Sequence, residues 1–389
     1  MKHIQRLTAA DYDDIFALSQ FAFQYTLSKE ALEAKKAEAA RHVIWGWIEQ
    51  EKIAAKLHVI PLSSYVYGKQ FQMGGISSVA TWPEYRRQGM VKHLLKHALT
   101  YMKNQGMTIS FLHPFSFAFY RKFGFELAFA NKTYTIPIEY FKNVERGHGY
   151  VRRINNDLTP LQAIYHAYAK RFTGPIVRDD QWWRQRVLNK QGHIAVAYHM
   201  GGEAEGYLIY DVKNKQMTIQ EIAYRSLNGL QLLMTFISHH DSMAENVQLT
   251  VPESDQLSFI LDEPTIKQQL IPYFMARVVD VHAFLQVYPF KQQQMKPLAL
   301  HVTDDFFPYN SGTYILHFQR GSIDITFARK KQTVYSSICL NIQALTTIFL
   351  GYKRPSQLYN IGYIEGKKEA IHQLEQIIPD QQTFFPDFF

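Results

Sequence analysis

Apolar residues recur along the chain at two spacings, and each change of spacing marks a change of element. Over residues 8–23, Ile15, Leu18, Ser19 and Ala22 share one helical face behind Thr8, a residue type that caps helices. Residues 29–40, rich in Ala, Glu and Lys, predict a second helix that faces solvent. Strands are expected over residues 42–49, 52–66 and 70–81, with turn signals at Glu51 and Gly68 and a candidate break at Pro61. Residues 89–104 give an amphipathic helix, because Met90, Leu94, Ala98 and Met102 repeat every fourth position. A buried strand over 108–112, a short helix over 117–122 and a strand from Phe125 follow. With an opening strand at 3–6, the order is β-α-α-β-β-β-α-β-α-β.

The middle of the chain repeats that order as a pattern, without sequence identity between the halves. Helices are expected over residues 160–171, 180–187 and 227–239, and strands over 194–199, 205–212, 217–223 and 246–251. From about Leu285 the character changes to strands over 298–302, 313–318, 322–327 and 336–341. Helices over 342–350 and 367–377 and an aromatic tail, Thr383-Phe384-Phe385-Pro386-Asp387-Phe388-Phe389, complete the chain. The expected organisation is three units, 1–147, 148–284 and 285–389, the first two α/β and the last α+β.

Composition narrows the class. A chain of 389 residues exceeds what one core usually supports, and 47% hydrophobic with 20% charged residues excludes disorder. No apolar run is long enough for a spanning helix, and the N-terminus lacks the apolar stretch of a signal peptide. The single cysteine, Cys339, cannot form an internal disulfide and reads as a small core residue. A cytoplasmic protein is expected. The net charge of +8 is spread without a dense Lys/Arg tract, so no nucleic-acid partner is expected. No metal is called for.

The candidate chemistry starts at the segment Val79-Ala80-Thr81-Trp82-Pro83-Glu84-Tyr85-Arg86-Arg87-Gln88-Gly89-Met90-Val91-Lys92. An apolar strand ends at Pro83, a basic loop follows, and a strong helix begins. Free N–H groups at a helix N-terminus bind phosphate, Gly89 lets it approach the main chain, and Arg86 or Arg87 adds charge. The strand end offers spare hydrogen-bonding groups to an amide-bearing ligand such as pantetheine. In the second unit the corresponding stretch is Arg225-Ser226-Leu227-Asn228-Gly229, which keeps the fold pattern without the anion loop.

Arg86-x-x-Gly89-x-Val91 resembles the acetyl-CoA loop of the GNAT acetyltransferases, departing only at Val91. The stretch from Leu112 to Glu126, with Phe115, Ser116 and Phe119-Tyr120-Arg121-Lys122-Phe123-Gly124-Phe125, is similar to the family's late FYxxxGF signature. The whole chain resembles the Eis (enhanced intracellular survival) family. Matching segments are Arg178–Arg184 around Trp182 and Trp183, Arg277–Val281, Asp304 with Pro308, Asn310 and Gly312, and the aromatic end at Phe389. The resemblance implies tandem GNAT folds, one active and one degenerate, then a sterol-carrier-like domain, a hexamer, and acetylation of small-molecule amines, including aminoglycosides. It implies acetyl-CoA held by residues 79–81, 86–92, Phe115 and Ser116.

Amine acetylation needs a neutral nitrogen, and a primary amine with a pKa of roughly 10 is mostly protonated at neutral pH. A base must take that proton, N–H groups near residues 79–81 are candidate donors to the thioester oxygen, and an acid must protonate the leaving thiolate. By resemblance the acid is Tyr120 and the base is the terminal carboxylate of Phe389. No histidine or carboxylate near Tyr120 is an obvious base, although His113 and Glu126 sit in the same segment, and Asp387 is expected to draw cationic amines by its field. Trp182 and Trp183 read as packing, with Arg178 and Asp179 as ion-pair partners. Rival readings are a protein or peptide lysine acetyltransferase and a non-enzymatic CoA- or lipid-binding protein.

Overall fold

The computed structural model describes residues 3–155, 157–189, 192–291, 295–319, 322–330, 332 and 336–389. The first unit runs β1 (Ile4–Leu7), α1 (Tyr12–Phe23), α2 (Lys29–Ala39), β2 (Val43–Glu49), β3 (Lys52–Val66), β4 (Lys69–Thr81), α3 (Met90–Asn104), β5 (Ile109–Leu112), α4 (Phe117–Arg121) and β6 (Glu126–Pro137). That is the order the pattern predicts. The apolar stripe of α3, Met90, Leu94, Leu95, Ala98, Leu99 and Met102, is buried against Leu57, Val59, Ile76 and Leu112 of the sheet. Pro61 does not break β3. It pairs with Gly74 of β4, while β2 reaches only to Val59 on the other side. The proline therefore lies on an edge stretch, where its missing N–H costs no ladder bond.

The second unit runs β7 (Gly149–Ile154), α5 (Leu158–Ala169), α6 (Asp180–Trp182) continuing as a π-helical turn (Trp183–Val187), β8 (His193–His199), β9 (Ala204–Lys213), β10 (Gln216–Tyr224), α7 (Leu227–Ser238), β11 (Asn246–Pro252) and β12 (Lys267–Val278). Among the described residues, the two units share one twelve-stranded sheet of order β1-β2-β3-β4-β5-β12-β6-β11-β10-β9-β8-β7. Their last strands are exchanged: β12 lies between β5 and β6, and β6 pairs with β11. Strand β12 went unrecognised in the sequence. Its first half is exposed and interrupted by Pro272, and only Phe274–Val278 are buried.

The third unit comprises α8 (Val281–Val287), β13 (Leu298–Thr303), β14 (Gly312–Gln319), β15 (Ser322–Ala328), β16 (Ser336–Asn341), α9 (Ile342–Phe349), α10 (Pro355–Asn360), β17 (Glu365–Gly366) and α11 (Lys368–Ile377). Its sheet has the order β15-β14-β13-β16-β17. Arg277 at the end of β12 is fully buried and ion-paired with Asp304, whose carboxylate also accepts from Asn310 at 2.9 Å. This network ties the third unit to the sheet. Cys339 is half-buried on β16 rather than in the core.

The tail leaves the third unit and runs back across the first two. Thr173 exchanges backbone bonds with the tail, donating from N to Gln382 O at 2.9 Å and accepting at O from Phe384 N at 2.9 Å. Phe384, Phe385 and Phe389 are buried, each contributing about 1.5–3 kcal/mol on burial. Asp387 is buried too and is not a field source. It accepts from Arg178 Nε at 3.0 Å and Trp182 Nε1 at 2.8 Å. Arg178 also pairs with Glu221 at 2.7 Å, and Asp179 pairs with Arg41, so neither pairs with the other. A charge buried this way holds its position because losing the partner costs about 3–5 kcal/mol.

Candidate active site

Strands β4 and β5 run parallel and pair only over Met73–Ile76 and Ile109–Leu112. Beyond Ile76 the two strands part, leaving residues 77–81 unpaired on that side, and Ser77, Ser78 and Val79 line a cleft of about 540 Å³. At the point of parting, the register with β3 slips: Lys56 faces Ala80, but His58 faces Ser77. Ser78 and Val79 thus oppose Leu57 alone, a β-bulge with Ser78 at φ 51°. Bulges re-aim the groups around them, and a left-handed serine is strained unless something holds it.

Lys56 holds it. Fully buried, it donates from Nζ to the Ser78 carbonyl at 2.9 Å and to Ser78 Oγ at 2.8 Å, with His58 Nε2 3.4 Å away. His58 Nδ1 lies 3.1 Å from His42 Nδ1. If Lys56 donates to His58, the ring N–H of His58 must point to His42, which fixes both tautomers. Burial keeps both rings neutral, pushing His42 down to about 4 and His58 well below its usual value. Burial also lowers Lys56 from its ordinary 10.5 to about 7. Neither Lys56 nor its histidine neighbours was singled out in the sequence. The signal of Lys56 and His58 is a charge and an imidazole amid the apolar residues of β3, and His42, just before β2, carries none.

This depression has a sign that can be checked. Between about pH 7 and 10.5 the unfolded chain holds a proton on Lys56 that the folded protein does not, so this group makes stability rise with pH over that window. Lys56→Met is therefore expected to flatten the rise in melting temperature across those values. Thermal denaturation of both proteins in a pH series measures it. Equal slopes would mean that Lys56 keeps its ordinary pKa.

Tyr120 of α4 is buried against Phe115, Phe119 and Phe125 and lines the cleft. Burial pushes its hydroxyl well above the usual value, so it stays protonated at neutral pH. Phe389 lines the same cleft, with its ring against Trp182 and Phe274 and over Gly75. A Cβ on Gly75 would lie 2.8 Å from that ring, which is why glycine is needed there. His113 borders the cleft among Tyr273, Phe274 and Phe388, its pKa lowered by burial. Glu126 does not border it. That carboxylate accepts from Arg121 at 2.7 Å, Leu127 N at 2.9 Å and Tyr363 at 3.1 Å.

The cleft therefore brings together Val79, Phe115, Tyr120 and Phe389, with Ala80 and Thr81 continuing along β4. Ser116 is used as the cap of α4, accepting from Phe119 N at 3.3 Å. Arg86, Arg87, Gln88, Gly89, Met90, Val91 and Lys92 follow at the start of α3. Gly89 is the N-cap, left-handed at φ 79°, and no side chain caps the helix. Arg87 is also left-handed at φ 65°, and Arg86 Nε donates to the Thr81 carbonyl at 3.4 Å. The N–H groups of the first turn of α3 thus lack a side-chain cap and lie beside two exposed guanidinium groups. In the second unit Ser226 Oγ caps α7 by accepting from Gly229 N at 3.0 Å. A Cβ on Gly229 would lie 2.6 Å from the Glu205 carbonyl, so backbone fills the corresponding space.

Residues 3–128 match the acetyltransferase (GNAT) domain, residues 174–278 match a second acetyltransferase (GNAT) domain, and residues 281–386 match the sterol carrier protein domain. No curated protein sequence matches the chain. Among solved structures, a conserved protein of Enterococcus faecalis V583, described as a probable N-acyltransferase, is similar at 25% identity and a TM-score of 0.93, covering 99% of both chains. A GCN5-related N-acetyltransferase of Anabaena variabilis is similar at 22% identity and a TM-score of 0.88, covering 99% of both chains. Eis1 of Mycobacterium abscessus is similar in fold at 19% identity and a TM-score of 0.83, covering 99% of this chain and 100% of that one. Domains of the GNAT kind draw their acyl group from a CoA thioester. Two such domains ahead of a sterol carrier domain make the chain a GNAT-family N-acetyltransferase of Eis-like architecture.

Proposed function

We propose that the protein transfers acetyl from acetyl-CoA to a primary amine in a direct ternary complex. The observation that carries this reading is the cleft where the unpaired edge of β4, the protonated Tyr120 hydroxyl and the chain end meet. Pantetheine amides pair with residues 79–81, and the pyrophosphate sits on residues 86–92 at the start of α3, with Phe115 and Ser116 flanking the thioester. The terminal carboxylate of Phe389 accepts the amine's proton. The nitrogen attacks the carbonyl carbon, the N–C bond forms, the C–S bond breaks, and Tyr120 protonates the thiolate. Of the two protons the ammonium loses, one ends on sulfur and the other in solvent. In this reading residues 1–147 carry the cofactor, 148–284 keep the fold without it, and 285–389 supply the chain end. The Eis resemblance adds a hexamer, which sedimentation equilibrium tests.

The experiment is direct: purified protein, acetyl-CoA and a panel of primary amines, with thiol release and product mass measured together. Thiol release without an acetylated amine would refute the reading. One CoA per chain is expected by calorimetry, since of the two GNAT units the first has an uncapped, arginine-flanked start at α3, whereas α7 of the second is capped by Ser226. Arg87→Ala is expected to weaken that binding by about 1–3 kcal/mol, the scale of a charged hydrogen bond. Two sites per chain, or unchanged affinity in the variant, would count against the pyrophosphate assignment.

A further inference from the structure

The walls of the cleft differ in chemistry, and the difference bears on the acceptor. At the rim stand Phe23, Tyr25, Phe115 and Phe388, which are between 37% and 76% exposed. Grouped exposed aromatics of this kind mark a surface meant to be covered by something apolar. The lining also includes Glu38, the one side-chain carboxylate among the described residues that border the cleft. It is already held, by Lys35 at 3.2 Å and by Arg186. His42, kept neutral by burial, adds no charge there.

The charges along the cleft therefore nearly cancel. Lys35 and Arg186 oppose Glu38 and the terminal carboxylate. A single ammonium can approach the terminal carboxylate. A second ammonium on the same molecule would meet Lys35 and Arg186 without a carboxylate of its own, and desolvating it there is costly. A polycationic aminosugar needs several such carboxylates.

Resting on the acetyl-transfer reading above, we propose that the acceptor is a primary amine on an apolar, aromatic-sized body with no second cationic group, of the arylalkylamine class. The apolar body lies against the rim aromatics and the amine reaches the acetyl group. The aminoglycosides that the Eis resemblance implies are poor acceptors in this cleft.

The test compares kcat/KM for tryptamine and phenethylamine with kcat/KM for spermidine and kanamycin. The arylalkylamines are expected to lead by at least about tenfold, the worth of one charge contact. Lys35→Glu removes one of the cations and adds a carboxylate at a half-exposed position. It is expected to shift the spermidine-to-tryptamine ratio about tenfold towards spermidine in protein that still binds acetyl-CoA by calorimetry. Spermidine or kanamycin matching or exceeding tryptamine with the unsubstituted protein would overturn the acceptor class and leave acetyl transfer standing. Acetyl-CoA binding by calorimetry with no amine of either class acetylated would overturn both.

Discussion

Protein carrying extra residues after Phe389 is expected to lose amine acetylation by at least about 10²-fold while keeping its melting temperature. The tail is anchored upstream of its last residue, by Asp387 on Arg178 and Trp182 and by the buried rings of Phe384 and Phe385. An extension therefore leaves the anchors in place. It converts the terminal carboxylate into an amide and pushes new chain into the cleft that Phe389 lines. Phe389→Leu keeps the carboxylate and much of the apolar volume, so appreciable activity should survive. The deciding comparison is tagged protein against the same preparation cleaved back to Phe389. Equal turnover in both, with the tag verified by mass, would return the proton to His113, the other titratable group of the sequence-derived pair that borders the cleft.

Tyr120→Phe is expected to lower kcat by about 10²–10⁴-fold with CoA affinity nearly unchanged. The hydroxyl is the only group removed, and the ring keeps its packing against Phe115, Phe119 and Phe125. Because burial raises the hydroxyl's pKa, it remains a proton donor throughout the neutral range. Steady-state rates and calorimetric CoA binding measure the two quantities separately. A variant as fast as the parent would take Tyr120 out of the chemistry, and one that no longer binds CoA would make its role structural.

Much of this was legible in the sequence where the signal is local. The α3 stripe, the basic loop before it and the order of the first unit's elements follow from spacing within short windows. What escaped depends on distant pairings. Strand β12 lacks a buried alternating pattern over its first half, and only the gap between β5 and β6 makes it a strand. The bulge at Ser78 has no sequence mark, because serine gives no hint of a left-handed backbone. It exists because Lys56, far along the chain on β3, captures its carbonyl. Asp387 reads as a source of negative field, yet Arg178, 209 positions away, pairs with it in the interior. The chemistry of the acceptor cleft likewise depends on Glu38 and Arg186, which no motif joins.

The exchange of β6 and β12 also governs how the protein can be made. About 130 residues separate the end of β6 at Pro137 from the start of β12 at Lys267. At translation speeds of about 5–20 residues per second, the ribosome needs on the order of ten seconds to supply the strand that fills the gap. During that interval the nascent first unit exposes two open strand edges, each a template for wrong pairing. The nearest wrong pairing is β6 closing directly on β5, which must reopen before β12 can enter. Trimming the gene after residue 137 would remove that strand for good, so the first unit is a poor choice for expression as an isolated piece. The smallest self-sufficient piece of the large sheet ends no earlier than Val278.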